Sequence, residues 1–231
     1  MPGHFTFYTR QLEGNLAFFD EQEARHAITA LRYTAGQAIH FTDGFGNRYT
    51  GNIEKISKNG FTAAVVSVQS DENLPELQLA VGLLKHADRL EWMVEKCTEL
   101  GVKKLWLMQT TNAIKNRINE ERLQRIAVSA LKQSHGCRLP HIRLISFNEV
   151  LNQPAESRLI CHCQSGDELL SASSADLKGD CLVLIGPEGD FTAQEIERAH
   201  AAGFRNLSLG SAVLRTETAA MAVAAAYVVH H

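Results

Sequence analysis

Downstream of residue 76, short apolar runs alternate with amphipathic stretches of helical period, and this alternation limits the fold more than any other feature. The runs at 77–84, 103–108, 159–162, 181–185 and 206–209 have the length and apolar character of buried strands. Between them, 88–100 places Leu90, Met93, Val94, Cys97 and Leu100 on one helical face, and 119–133 does the same with Leu123, Ile126, Ala127, Ala130 and Leu131. Residues 192–201 and 216–229 read as two further helices. Asp88 with Glu91, and Thr192 with Glu195, have the spacing of capping boxes, and Gly101 suits a helix C-terminus. Strands alternating with helices specify an α/β domain built on a mostly parallel sheet covered on both faces.

Upstream, the pattern is β-rich. Strands are expected at 4–8, 37–42, 47–56 and 61–68, with one helix over about 20–31. Asp43-Gly44-Phe45-Gly46-Asn47 and Ser57-Lys58-Asn59-Gly60 are hairpin signals, because Gly and Asn tolerate positive φ. Short strands with tight turns imply a small barrel. The polar stretch from Ser70 to Pro75 marks the boundary, giving domains 1–72 and 73–231. No apolar run approaches the roughly 20 residues of a membrane span, and the first ten residues have no leader character, so a cytoplasmic protein with no membrane partner is expected. Five scattered cysteines argue against a disulfide framework. Cys161-His162-Cys163 lacks a second ligand pair and reads as buried strand, so no metal is expected. The formal net charge of −3 excludes an RNA partner held by the overall field; any such partner needs a local patch.

Two glycine loops carry the candidate chemistry. In Leu182-Val183-Leu184-Ile185-Gly186-Pro187-Glu188-Gly189-Asp190-Phe191 a buried strand runs into a glycine-proline loop and then a capped helix. Ligands of parallel α/β sheets sit at the carboxyl ends of strands, and glycine permits close backbone approach while proline holds the loop. On the residues alone, a tight turn without a ligand explains the pattern equally well. There is no P-loop and no G-x-G-x-x-G, so no phosphate cradle is expected. The second loop follows the strand ending at Leu209-Gly210. Arg215 and Glu217 stand there at the mouth of an alanine-rich helix, where Thr216 suits a cap and Glu217 suits the helix dipole. A cation at that end is unfavourable, so Arg215 points to an anionic partner, an RNA phosphate or the Glu188 carboxylate. The apolar helix suits a subunit contact.

Ile185-Gly186-Pro187-Glu188-Gly189-Asp190-Phe191 followed by Leu209-Gly210-Ser211-Ala212-Val213-Leu214-Arg215-Thr216-Glu217-Thr218 resembles the paired signature of the ribosomal small-subunit RNA uridine N3-methyltransferases, the RsmE family of the SPOUT superfamily. The resemblance extends through Lys85, Asp88-Arg89, Glu95-Lys96, Glu99-Leu100-Gly101-Val102, Gln133-Ser134 and Arg138-Leu139-Pro140, and upstream through His26, Leu31-Arg32 and Asp43-Gly44. Two departures stand out. Asp190 replaces a second glycine, and 110–117 lacks the family's Thr-Glu-Arg-Ser pattern, with Lys115 in the place of its arginine.

The resemblance implies a SPOUT-type trefoil knot in the C-terminal domain and a PUA-like, RNA-binding N-terminal barrel. It implies S-adenosylmethionine bound by Leu184, Ile185, Gly186, Pro187, Glu188, Gly189, Leu209, Gly210, Val213 and Leu214. The implied reaction methylates N3 of a uridine in small-subunit (16S) ribosomal RNA, free or in the assembled subunit, by a homodimer. Arg215 would position the base or stabilise its anion, Glu217 is the candidate general base, and Arg10, Arg25, His26, Arg32 and Lys115 are the candidate RNA contacts. The alternatives are a methyltransferase of another RNA and a non-catalytic ribosomal RNA-binding protein.

Overall fold

The computed structural model describes residues 5–71, 75–113, 118–163, 170–171 and 177–230. Lys115, the rest of 114–117, and the 72/73 boundary lie outside the described residues. The chain forms two compact units, Met1–Leu74 with Val128–Leu139, and Pro75–Ala127 with Pro140–His231.

In the first unit, β1 (Thr6–Tyr8), β2 (Gln11–Glu13), β3 (Leu16–Phe19), β4 (Ala38–Thr42), β5 (Asn47–Ser57) and β6 (Gly60–Ser70) form a six-stranded sheet ordered β1-β4-β5-β6-β3-β2. The outer strands β1 and β2 are consecutive in the chain, so the sheet curls until its edges meet. Thr9 marks that seam. Its N–H donates to the Thr42 carbonyl on β4 at 3.1 Å, and its hydroxyl donates to the Phe18 carbonyl on β3. Alternation of side chains along the curled strands puts Phe7, Phe19, Ile39, Phe41, Ile53 and Phe61 in one core, with Phe19 and Phe61 stacked 4.2 Å apart. Helix α1 (Glu21–Arg25) is capped by the Asp20 carboxylate and continues as a π-helical turn, His26–Ala30.

The expected hairpin at 43–47 is present and is held from both sides. The Asp43 carboxylate accepts from the Phe45 and Asn47 N–H groups (2.7 and 3.4 Å), the Asn47 amide (2.6 Å) and the Tyr49 hydroxyl (3.0 Å). Residues 137–139 pair with its other edge, the Gly46 N–H donating to the Cys137 carbonyl at 2.8 Å and the Leu139 N–H to the Gly44 carbonyl at 2.9 Å.

The second unit contains β7 (Leu77–Gly82), β8 (Lys104–Gln109), β9 (His141–Ser146), β10 (Ser157–Cys161), β11 (Leu170–Ser171), β12 (Cys181–Ile185) and β13 (Arg205–Ser208), with helices α2 (Ala87–Glu99), α3 (Glu120–Gln133, of which Val128 onward belongs to the first unit), α4 (Phe147–Leu151), α5 (Ala193–Ala201) and α6 (Thr216–His230). Its seven-stranded sheet is parallel throughout, ordered β11-β13-β10-β12-β7-β8-β9. Every residue of β7 and β12 is buried; β12 is apolar throughout, and the one polar side chain of β7, Gln78, donates to the Pro154 carbonyl at 2.9 Å and accepts from Trp106 Nε1 at 3.2 Å.

Several sequence expectations change. Strands β2, β3, β9 and β11 and helix α4 were not anticipated. β9 is an edge strand whose alternate residues, His141 and Arg143, face solvent, and that dilutes its apolar signal. The proposed capping box of Asp88 and Glu91 is absent: α2 is capped at His86 without a side-chain bond, and Glu91 instead holds Arg122 of α3 at 2.7 Å. The Thr192–Glu195 capping box is present.

Candidate functional site

The chain lays β7, β8 and β9 outward in one direction, then crosses back to build β10, β12 and β13 on the other side of β7. All strands stay parallel, but the order in which the chain adds them reverses about β7, and carboxyl ends near such a switch open a crevice. A cavity of about 550 Å³ lies at the carboxyl ends of β10, β12 and β13. Its walls are the segments that leave three strands: Cys161-His162-Cys163 after β10, Ile185 to Glu188 with Asp190 after β12, and Leu207 to Thr216 at and after β13.

The first loop is shaped by close approach. A Cβ at Gly82, the last residue of β7, would be only 2.6 Å from Pro187 Cδ, so only glycine lets the strand pass beneath the proline. Asp190 adopts φ +57, a conformation that favours glycine, and its carboxylate offsets the strain. Oδ1 accepts from the Phe191 N–H at 2.8 Å and Oδ2 from the Cys163 N–H at 2.9 Å, tying this loop to the end of β10. The aspartate that departs from the family's glycine therefore has a structural use. Asn112 donates to the Gly189 and Asp190 carbonyls from outside, both at 3.1 Å.

Glu195 anchors the helix that follows. Its carboxylate accepts four hydrogen bonds, from the N–H and hydroxyl of Thr111 (2.8 and 3.0 Å) and of Thr192 (2.9 and 3.0 Å). Burial pushes its pKa up, but the donors more than offset that and hold it below the usual glutamate value.

In the second loop Gly210 has φ +110, which demands glycine. Thr216 does not cap its own helix in the expected way. Its hydroxyl donates to the Gly186 carbonyl at 2.9 Å and so joins the second loop to the first. Arg215 is exposed on the cavity wall and pairs with no carboxylate among the described residues. The Glu188 pairing considered for it is not made; Glu188 accepts from the Lys85 N–H at 3.3 Å.

Of the expected cofactor residues, Ile185, Gly186, Pro187, Glu188, Leu209, Gly210, Val213 and Leu214 line the cavity. Leu184 is interior to β12, and Gly189 turns toward Asn112, so neither does. Glu217 is also outside the lining. It is buried against Arg89 of α2, whose Nε lies 3.8 Å from Oε1, and this placement does not suit a general base acting in the cavity. Sequence reasoning missed the wall after β10. Cys161 and Cys163 were read as ordinary strand, and the rule that pointed to the other two strand ends points equally to this one. Burial pushes the Cys161 thiol up to about 12, so it is neutral at physiological pH. His162 sits on the wall with Nε2 2.8 Å from the Asn206 side-chain oxygen, which His200 also approaches at 2.8 Å.

Among the expected RNA contacts, Arg10 and Arg32 are exposed. Arg25 is exposed but paired with Glu21 at 2.7 Å. His26 stacks on Phe5 with ring centroids 4.1 Å apart, and burial lowers its pKa. Among the described residues no group of three or more His, Cys, Asp and Glu side chains could hold a metal, and no helix is long and apolar enough to cross a membrane.

A parallel α/β unit with a ligand-sized cavity between two glycine loops, in a chain that also carries a small β unit, defines a two-domain α/β protein that binds a small molecule. The model of an RNA methyltransferase domain matches residues 71–228, and that of an RNA methyltransferase PUA domain matches 19–66. The chain belongs to this RNA methyltransferase family. It is similar to a probable rRNA-methyltransferase of Porphyromonas gingivalis, at 34% identity over 98% of this chain and 97% of that one, with a TM-score of 0.85. It is similar also to the ribosomal RNA small subunit methyltransferase E of Neisseria gonorrhoeae, solved with S-adenosyl methionine, at 27% identity, 97% and 96% coverage and a TM-score of 0.78. The enzyme of the same name from Bacillus subtilis is 29% identical over 215 residues, 86% of this chain and 84% of the relative.

Proposed function

We propose that this chain transfers the methyl group of S-adenosylmethionine to N3 of a uridine in small-subunit ribosomal RNA, in the cytoplasm. The observation that carries the reading is the cavity between the two loops, with Arg215 on its wall paired with no carboxylate among the described residues. The cavity fits the cofactor on three counts. Its volume of about 550 Å³ is in the range of small-molecule sites. Ile185, Leu207, Leu209 and Leu214 offer apolar walls for an adenine, and the loop backbone at Gly210 is open to close approach. Val213 is an apolar side chain 81% exposed on the cavity wall, as a residue meant to cover a ligand would be. The SAM-bound relative supports the same reading.

When bound, S-adenosylmethionine supplies an electrophilic methyl on a sulfonium. The chain's residues supply position and charge. Uracil N3 attacks once its proton has passed to solvent water; the negative charge spread over the ring is then neutralised as the methyl is transferred. Arg215 presents a guanidinium for that charge in a partly enclosed site, where a fixed cation is worth most. A trefoil knot in the second unit, RNA docking by the first, and a homodimer belong to the same reading.

Arg215→Ala is expected to lower the methylation rate about 10²- to 10³-fold while cofactor affinity by calorimetry changes less than about threefold. Digestion of methylated ribosomal RNA followed by mass spectrometry should show 3-methyluridine. A wild-type rate in the variant removes Arg215 from the chemistry. A folded wild-type protein that binds RNA but no cofactor leaves the non-catalytic reading.

A further inference from the structure

Phe45 is 62% exposed, whereas Phe7, Phe19, Phe41 and Phe61 of the same unit are each at most 5% exposed. The exposure is built in. Asp43, itself 6% exposed, spends its carboxylate on the turn that carries Phe45. Gly44 and Gly46 supply the positive φ values, +77 and +103, on either side of it. Residues 137–139 clamp the far edge of the turn. A loop held this tightly cannot fold its aromatic ring back into the core, and it presents the ring without an ordering cost on binding.

The surroundings of the ring are cationic. The Arg10 guanidinium carbon is 5.4 Å from the Phe45 ring centroid. Arg10 reaches the Tyr8 hydroxyl but pairs with no carboxylate among the described residues. Arg138 lies along Gly46, the next residue, and donates to the Asp71 carbonyl at 3.4 Å. The nearest acid in sequence, Asp43, is committed inward to the turn. A protein contact of useful strength needs a broad apolar centre, but the ring's neighbours in the turn are glycines and Asn47. An exposed ring with a guanidinium over one face, paired with no carboxylate among the described residues, is the chemistry that takes a nucleobase on the other face and its phosphate beside it.

We propose that Phe45 and Arg10 form a stacking platform for an unpaired base of an RNA, Phe45 taking the base and Arg10 the adjoining phosphate. The proposal rests on the RNA methyltransferase reading and gives its RNA contact a location that the overall charge of −3 does not reveal.

The test uses the full chain, a fluorescein-labelled single-stranded RNA, and the same strand annealed to its complement. Binding is followed by anisotropy over a series of NaCl concentrations, with methylation of small-subunit ribosomal RNA measured in parallel. Phe45→Ala should weaken single-strand binding about 5- to 150-fold, the range for one lost base stack, and should leave the salt slope and duplex binding unchanged. Phe45→Trp should restore the affinity, and Arg10→Gln should lower the slope of log K against log salt by about 0.7, one phosphate's worth. In methylation, Phe45→Ala should raise KM for RNA and spare kcat. Single-strand affinity equal to wild type, an equal loss on duplex, or a loss of self-association with RNA binding intact would each overturn the platform. If the wild type still methylates RNA in those cases, the enzyme reading stands alone. A wild type that neither binds RNA nor transfers methyl overturns both.

Discussion

Lys132 and Glu23 show how much a single pair can carry. Lys132 is in the last turn of α3 and Glu23 in α1, with side chains 15% and 7% exposed, and they form a direct ion pair. Lys132 also lies 5.0 Å from the Phe5 ring centroid. Burial pushes the Glu23 carboxyl above the usual range, and the Lys132 charge only partly offsets this. Because the folded pKa is raised, the contribution of Glu23 to stability is present below the ordinary glutamate value and lost as pH rises through the folded one. Lys132→Met strands a buried carboxylate and should cost about 3–5 kcal/mol at neutral pH. That deficit should shrink on acidification, and Glu23→Leu added to it should recover most of the loss. Urea titrations at two pH values measure this; a neutral-pH stability equal to wild type would show that the pair carries nothing. Neither partner was singled out from sequence, since a Lys and a Glu 109 positions apart look like two surface charges.

Among elements, the junction between β8 and α5 sets the shape of the cofactor loop. The Thr192-Glu195 capping box was legible as a local motif. Its second half was not, because Thr111 comes from the far side of the sheet order and brings two further donors to the same carboxylate. The folded pKa of Glu195 is depressed, so the stability it contributes is present above the ordinary glutamate value and is lost as pH falls through the folded one. Glu195→Gln should therefore destabilise the protein by about 2–3 kcal/mol at neutral pH and by progressively less in acid. It should also weaken cofactor binding, since the loop from Gly186 to Asp190 leads into this cap. Thermal melts across pH, paired with calorimetry, decide it; a deficit that persists unchanged in acid would remove the carboxylate's charge from the account.

For the whole molecule, the proposed homodimer has a structural motive. Helix α6 is apolar along its length and packs on α2 and β7, yet Val228 and Val229 remain 47% and 83% exposed, and Trp92 of α2 is 45% exposed. Uncovered apolar residues on packed helices suit a subunit contact. Sedimentation at micromolar concentration is expected to give twice the monomer mass, and Val229→Asp to shift it toward monomer. A monomeric wild type would end the dimer reading.

Sequence by itself determined the longer strands and helices and their faces, because strand and helix periodicities are local properties of side-chain spacing, whereas the short or edge elements β2, β3, β9, β11 and α4 carry too little of that signal. It determined the parallel sheet in the second unit, the two glycine loops that border the cavity, and the family. Tertiary structure alone decided that residues 128–139 belong with the first unit, since no local signal says which core a helix end will join. It decided that the end of β10 forms the third wall of the cavity and that Asp190 bridges two strands. It also turned Glu217 toward Arg89, away from the cavity. Strand order brings those groups together, and strand order depends on which apolar faces pack best across the whole sheet. Spacing along the chain does not encode that choice.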